Sequence, residues 1–341
     1  MKRILLLYIC IMQCFFSYSE KKALLIGVGH YPQNSGWQEI SSDHDIDLLK
    51  KMLSTYDLHE LLDKDATHEN IKKAFASLQN RIHTGDTILI HFSCHGQQML
   101  PLNDSEEIDK LDEALVPYDA NSTQSNKYDG RNHLRDDEMD KLLYSLRKKA
   151  GAKGLVLLTI DACFSDSMNK GIQKNKKQDK YRGGANIFGA DAISKDSLEV
   201  LLTHRTKEET ETSLKKQGLA DILILSACKS FQRNKEVVIN GIGYGSLSYA
   251  MYSSYKVFGI SDLYKWLNGI YDQMQKIAYT QTPQIRTTLN YSFPIKQNPT
   301  IAHSIESEEH ANAYPIQIIA IIASIVVILI FVLIWLKLKN K

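Results

Sequence analysis

Four short apolar runs punctuate the chain, at 22–28 (KALLIGV), 86–92 (DTILIHF), 155–160 (LVLLTI) and 222–225 (ILIL). Each is continuous rather than alternating, the pattern of a strand buried on both faces. Between them apolar residues recur at helical spacing: Ile46, Leu49 and Leu53 in 45–53, Ile71, Phe75 and Leu78 in 69–82, and Met139, Leu142, Leu143 and Leu146 in 135–146. Further helices are expected over 246–255 and 261–277. Strands alternating with helices predict an α/β fold with a mostly parallel sheet covered on both faces, and a site beyond the carboxyl ends of its strands. Two segments break the alternation. Residues 103–137, rich in Asp, Glu, Asn and Ser, read as a long oxygen-rich loop, and 168–186, with six Lys or Arg and almost no apolar anchor, as an exposed, mobile segment open to proteolysis.

Two longer apolar stretches stand apart. Residues 2–19 open with Lys2 and Arg3, continue apolar from Ile4 to Phe16 and close on Ser17 and Ser19. That three-part layout predicts a signal peptide over 1–19. Residues 316–336 carry no charge, follow Pro315, and run into Trp335, Lys337, Lys339 and Lys341. At about 1.5 Å per residue they cover a hydrocarbon core of roughly 30 Å, and the lysines predict a cytoplasmic tail over 337–341. A polar stalk is expected over 299–315, and the folded domain over 20–298, outside the cytoplasm.

Composition sharpens this picture. The chain has 341 residues, 43% hydrophobic and 23% charged, with a net charge of +2. Five of its 41 Lys and Arg lie in the two targeting segments, which leaves 36 against 39 Asp and Glu between them. The body is mildly acidic, and no basic excess points to nucleic acid. Of five cysteines, Cys10 and Cys14 fall in the signal, and only Cys94, Cys163 and Cys228 remain. Three scattered cysteines make neither a disulfide framework nor a zinc site, so at least one is a free thiol.

The chemistry sits on two strand ends. The strand at 86–92 runs into Ser93-Cys94-His95-Gly96, and that at 155–160 into Asp161-Ala162-Cys163-Phe164-Ser165. In a parallel sheet the two ends can be neighbours, bringing an imidazole to a thiol. A thiol attacks as its thiolate, and an adjacent histidine supplies the base and later the acid for a leaving amine. Gly96 allows close backbone approach, and the N–H groups of Gly96 and Cys163 are candidates for an oxyanion hole.

These residues resemble the caspase-type cysteine peptidases, and within them the metacaspase-like branch. The resemblance covers about 22–295 and rests on HFSCHG at 91–96 and DACFS at 161–165. KALLIGVGHY at 22–31, LLDKDATHENI at 61–71, DEALVPYDA at 112–120, LRDDEM at 134–139 and ILSACKS at 224–230 support it. It implies His95 as general base, Cys163 as nucleophile and a six-stranded sheet. It also implies a large-subunit part over about 20–169 and a small-subunit part over about 187–298, joined by a Lys-rich loop at about 170–186. Cys94 stands where the family usually has Gly, and Phe164 where a polar residue often follows the nucleophile.

The resemblance also bears on substrate. Asp161 stands two before the nucleophile, where caspases proper carry Gln, and a carboxylate there attracts Lys or Arg. Alignment of 42–53 with the equivalent segment of the family adds Asp45 and Ser42 to that pocket, with Ser93 as a wall. The implied enzyme cuts peptide or protein substrates after Lys or Arg. Lys170, Lys174, Lys176, Lys177, Lys180 and Arg182 then become candidate self-cleavage sites. The dyad itself requires no cofactor. A calcium site is implied at Asp136 and Asp137 with Asp112 or Asp109, hard oxygen ligands suited to Ca²⁺. Two alternatives stand beside this: a catalytically silent caspase-like scaffold on the membrane, and a peptidase of the gingipain or clostripain kind.

Overall fold

The computed structural model describes residues 19–100, 111–164, 180–184, 186–189, 214, 216–230 and 232–293. Its strands are β1 (Lys21–Gly27), β2 (Asp57–Leu62), β3 (Thr87–Ser93), β4 (Gly96–Met99), β5 (Asp112–Leu115), β6 (Leu134–Arg135), β7 (Leu155–Asp161), β8 (Asp221–Ser226), β9 (Val237–Ile239), β10 (Ile242–Tyr244) and β11 (Gln284–Thr287). Its helices are α1 (Ser42–Met52), α2 (His68–Arg81), α3 (Asp136–Ala150), α4 (Ser246–Phe258) and α5 (Leu263–Ile277).

The four apolar runs form β1, β3, β7 and β8, the interior of a six-stranded sheet ordered β11-β8-β7-β3-β1-β2. All neighbours in it are parallel except β11 against β8. Because successive side chains point to opposite faces, each interior strand feeds two cores. Leu24, Ile26, Ile88, Ile90, Val156 and Leu158 pack with Ile71, Phe75, Leu143 and Leu146 of α2 and α3. Ala23, Leu25, Leu89, Leu157 and Leu223 pack on the other face with Ile46 and Leu49 of α1, Met251 of α4, and Trp266 and Ile270 of α5. Helix α2 begins where the Thr67 hydroxyl accepts the Asn70 N–H at 3.3 Å, an N-cap that satisfies one orphan donor of the first turn.

Two expectations need correction. The stretch read as one loop over 103–137 contains β5 and β6, which pair antiparallel with β4 and with each other in a second, three-stranded sheet. The short, mixed-polarity sequence DEAL of β5 carries no strand signal of its own; it pairs because β4 offers it an edge. The segment read as wholly exposed over 168–186 is covered at its described end, where Arg182 is fully buried. No helix among the described residues is long and apolar enough to cross a membrane; 299–341 and residues 1–18 of the signal segment lie outside the described residues.

Candidate active site

Pairing of β3 with β7 sets Ser93 directly beside Asp161. The two strands therefore end level, and the chains leave the sheet together with His95 and Cys163 each two residues further on. His95 is buried and held on three sides. Its ring stacks on Trp37, with centroids 4.9 Å apart, and lies 5.3 Å from the Tyr31 ring. Its backbone N–H donates to the Tyr31 hydroxyl at 3.1 Å, and that hydroxyl donates to the Val116 carbonyl at 2.9 Å. Nε2 is 2.8 Å from the Gln38 carbonyl oxygen. A carbonyl only accepts, so Nε2 carries the hydrogen, which leaves a free lone pair on Nδ1. Nδ1 is buried and has no hydrogen-bond partner. Burial lowers the His95 pKa to about 4, so the imidazole is neutral near pH 7.

Cys163 is buried as well. Its Sγ donates to the Gln232 carbonyl at 2.6 Å, and Cys228 Sγ approaches the same oxygen at 3.4 Å. Cys94 is a different kind of thiol. It packs in the core among Ile26, Val28, Ile71, Phe92, Leu115 and Val116, and burial pushes its pKa up to about 12. It fills space and supplies no second nucleophile.

The residue that organises the site is Arg182. Its carbonyl oxygen accepts two hydrogen bonds, from the Cys163 N–H at 2.8 Å and the Gly96 N–H at 3.2 Å. A Cβ at position 96 would stand 2.7 Å from the Cys163 carbonyl oxygen, so only glycine lets these backbones come this close. The Arg182 N–H donates to the Asn234 carbonyl at 2.9 Å, and the Glu236 N–H donates to the Lys180 carbonyl at 3.0 Å. Tyr181 bridges Lys235 antiparallel, and Gly183 bridges Gly96 in the parallel sense. Segment 180–184 thus lies as an extended strap across the strand ends, hydrogen-bonded to Gly96 and Cys163.

The guanidinium of Arg182 enters a closed acidic pocket. Nη2 lies 2.8 Å from Asp45 Oδ2 and 2.8 Å from Glu236 Oε1. Nη1 donates to Ser93 Oγ at 2.7 Å and stands 4.0 Å from Asp161 Oδ1. Each carboxyl is fixed from behind. Asp45 accepts from Ser93 Oγ and the Gly245 N–H, both at 2.8 Å. Asp161 accepts from Asn234 Nδ2 at 2.7 Å, and from the Ser248 N–H and Oγ at 2.8 and 2.7 Å. Glu236 accepts from the Ser41 N–H at 2.6 Å and its hydroxyl at 3.0 Å. Gly245 makes room: a Cβ there would stand 2.7 Å from Arg182 Nη1. Three carboxyls around one guanidinium leave a negative excess in a dry pocket. Burial raises Asp45 to about 7 against the pull of Arg182. Asp161 is desolvated too, yet Arg182, Asn234 and Ser248 hold it below the usual carboxylate range.

The structure thus brings His95, Gly96, Cys163, Asp45, Asp161 and Ser93 around Arg182. Ser42 is buried nearby but donates to the Val28 carbonyl at 3.1 Å; the neighbouring Ser41 is the serine that serves the pocket, through Glu236. Glu236, Asn234 and Gly245 were not read from the sequence, because no motif marks them and they reach the site from the loops flanking β9 and β10. Arg182 was one of six equal candidates for an exposed cut and instead is the one seated. Lys180 is exposed, and Lys170, Lys174, Lys176 and Lys177 lie outside the described residues.

The acidic residues read as a calcium site lie together at the start of α3, where burial and the charges of Asp112, Asp137 and Asp140 raise Asp136 to about 6. Asp112 is ion-paired with Arg135. The Asp136 carboxylate accepts the N–H of Asp137 at 3.0 Å in the first turn of α3, a placement the helix dipole favours without a metal. Among the described residues only Glu20, His83 and Asp86 bring three ligand atoms together. Asp109 lies outside them.

Fold and site define a caspase-like protein in which the chain's own segment 180–184 lies across the strand ends with Arg182 buried among carboxyls. Residues 20–294 match the caspase domain, and the chain belongs to that family of cysteine peptidases. It is similar to Metacaspase-1 of Coccidioides immitis, 26% identical over 319 residues that cover 82% of this chain and 63% of the relative. It is also similar to Metacaspase-1A of Aspergillus niger, 26% identical over 309 residues covering 79% and 72%. The chain therefore spans somewhat less than two thirds of the first of these relatives. Among solved structures, a Geobacter sulfurreducens protein aligns with a TM-score of 0.54 at 19% identity, over 80% of this chain and 95% of that one. Caspase-1 of Spodoptera frugiperda aligns at 0.50 and 15%, over 80% and 90%. The structures show the shared fold; the curated relatives place the chain on the metacaspase-like side of the family.

Proposed function

We propose that this protein is a cysteine endopeptidase that cuts after Arg or Lys with Cys163 and His95, and that its own Arg182–Gly183 bond is its first substrate. One observation carries the reading: the Arg182 carbonyl oxygen accepts from the N–H groups of Gly96 and Cys163 while its side chain fills the acidic pocket. That is how a carbonyl about to be attacked must sit, because the same two donors hold the oxyanion that forms on attack.

In this reading the Cys163 thiol turns from the Gln232 carbonyl towards the unpartnered Nδ1 of His95. It gives its proton to that nitrogen, and the thiolate attacks the carbonyl carbon of Arg182. The tetrahedral oxyanion takes the two N–H bonds. As the C–N bond breaks, the His95 proton passes to the departing Gly183 amine, which leaves a thioester on Cys163. Water, deprotonated by His95, then cleaves the C–S bond, releasing the Arg182 carboxylate and restoring the thiol. Gln38, Trp37 and Tyr31 keep the imidazole in the tautomer and orientation that these steps need.

The signal-like segment 2–19 and the uncharged stretch 316–336 support an exported, single-pass protein with this domain outside the cytoplasm. Protease protection of intact cells tests that placement. The catalytic reading is tested by purifying the full chain and its Cys163→Ala variant and determining N-termini by mass spectrometry. The wild type is expected to show a new N-terminus at Gly183, and the variant none. A wild type that stays whole and hydrolyses neither Arg nor Lys peptides is the silent scaffold, and overturns the reading.

A further inference from the structure

The strap shows more than an arginine in a pocket, because the residues on either side of it are also fixed. Before the cut, recognition is mostly backbone: Arg182 and Lys180 pair with 234–236 as an added strand, a mode indifferent to side chains. The exception is Tyr181. The Arg233 guanidinium lies over its ring, 4.7 Å from the centroid, a cation–π contact that an aliphatic residue cannot make. After the cut the constraint is steric. Gly183 runs so close to the nucleophile that a Cβ on it would stand 2.7 Å from the Cys163 carbonyl oxygen and 3.2 Å from Cys163 Cβ. Neither atom can yield, since the first is backbone and the second belongs to the residue whose N–H holds the oxyanion. The chain then continues alongside β4, with the Gly184 N–H donating to the Gly96 carbonyl at 2.8 Å.

We propose that the enzyme selects the sequence aromatic-Arg-Gly, with Tyr181-Arg182-Gly183 as its template: Arg233 reads the aromatic ring, and the Cys163 backbone restricts the residue after the cut to glycine. This rests on the reading of the site as a peptidase that cuts after Arg182, and it names the substrate class of that site. Its targets are extended protein segments carrying this triplet, of which its own strap is one. Glycine is selected by exclusion and the aromatic residue by attraction, so the two requirements fail in different ways.

The test uses the full-length wild-type protein after self-cleavage and quenched peptides built on Lys-Tyr-Arg-Gly-Gly-Ala. Replacing the first Gly by Ala is expected to lower kcat/KM by about tenfold or more, since the scissile bond is displaced from its donors. Replacing Tyr by Ala is expected to lower it by about fivefold, and in the Arg233→Ala variant this Tyr-to-Ala ratio is expected to fall to near one. Within the full chain, Gly183→Ala is expected to slow release of the new N-terminus to a similar degree. Equal hydrolysis of all these peptides, with Arg still required, overturns the triplet and leaves the peptidase reading standing. Failure to cut any peptide and the strap alike overturns both.

Discussion

The chain carries two acidic groupings, each with an arginine among them, and they behave differently. Asp45, Asp161 and Glu236 surround Arg182 in a sealed pocket where all four side chains are essentially buried. Asp112, Asp136 and Asp137 gather near Arg135 at the start of α3, where Asp136 and Asp137 are exposed. In the first group Asp161 ends β7, Asp45 lies in the first turn of α1 and Glu236 comes from the loop before β9, and all three point at the buried guanidinium of Arg182. In the second group Asp136 and Asp137 lie in a helix first turn and Asp112 is ion-paired with Arg135, while burial and the charges of Asp112, Asp137 and Asp140 raise Asp136 to about 6. Clustered acids in a sequence thus say little until their surroundings are known. Carboxyls sealed around a buried guanidinium converge whatever element carries them; Asp136 and Asp137, at an exposed helix start, share no such buried centre.

The sharpest way to break the contrast is to remove each arginine. Arg182→Ala strands three buried carboxyls without a cation, and should cost about 3–5 kcal/mol in a urea unfolding series, as well as abolishing the Gly183 N-terminus. A loss below about 1 kcal/mol would show the pocket to be wet and the contrast empty. Glu236→Gln keeps the shape and the hydrogen bond to Nη2 but removes one charge. Hydrolysis of Arg peptides should fall about tenfold, and that of Lys peptides less, because lysine lacks the second nitrogen of the fork. An equal loss for both would place Glu236 outside selection between them.

Protonation probes the same pocket. Asp45 titrates near 7 in the folded chain, well above its ordinary range. Between about pH 4 and 7 the unfolded chain has this carboxyl ionised and the folded one does not, so folding here takes up a proton. Stability from this group is therefore greatest at low pH and is lost as pH rises through 7, by up to about 1.4 kcal/mol per pH unit. His91 works in the opposite sense. It is buried between Thr159 and Ser248, and burial holds its pKa down at about 4, so its contribution is lost as pH falls from about 6.5 to 4. In unfolding measured across pH, Asp45→Asn should remove the loss of stability as pH rises from about 4 to 7, and His91→Asn the opposing loss as pH falls from about 6.5 to 4.

Where these groups could be read in the sequence follows from burial. The interior strands β1, β3, β7 and β8 announce themselves because both faces are apolar. The edge strands β2 (DLHELL) and β11 (QIRT) do not: they have one neighbour each and are half exposed, so polar residues are tolerated and the strand pattern is lost. The site divides the same way. His95, Cys163 and Asp161 follow legible strands at fixed offsets. Glu236 and Asn234 reach it through contacts with Ser41 and Asp161 across 195 and 73 residues of chain, which no local pattern encodes. The choice of Arg182 among six basic residues is likewise tertiary, set by which of them the 234–236 edge can hold beside Cys163.

The smallest predicted effect completes the contrast. Arg135 Nη1 donates both to Asp112 and, at 3.0 Å, to the Leu100 carbonyl, so this pair ties β6 to the end of β4 at a partly exposed site. There water screens the attraction and can replace either partner, and such pairs contribute about 0.2–1 kcal/mol. Asp112→Asn keeps a hydrogen-bond acceptor and should shift the unfolding free energy by less than about 1 kcal/mol, with cleavage after Arg182 unchanged. The same substitution at Asp161 must lower Arg hydrolysis severely if the two groupings differ as described. Should Asp112→Asn instead disable cleavage, the acids at the start of α3 would act on the site, and the distinction between the sealed grouping and the outer one would have to be redrawn.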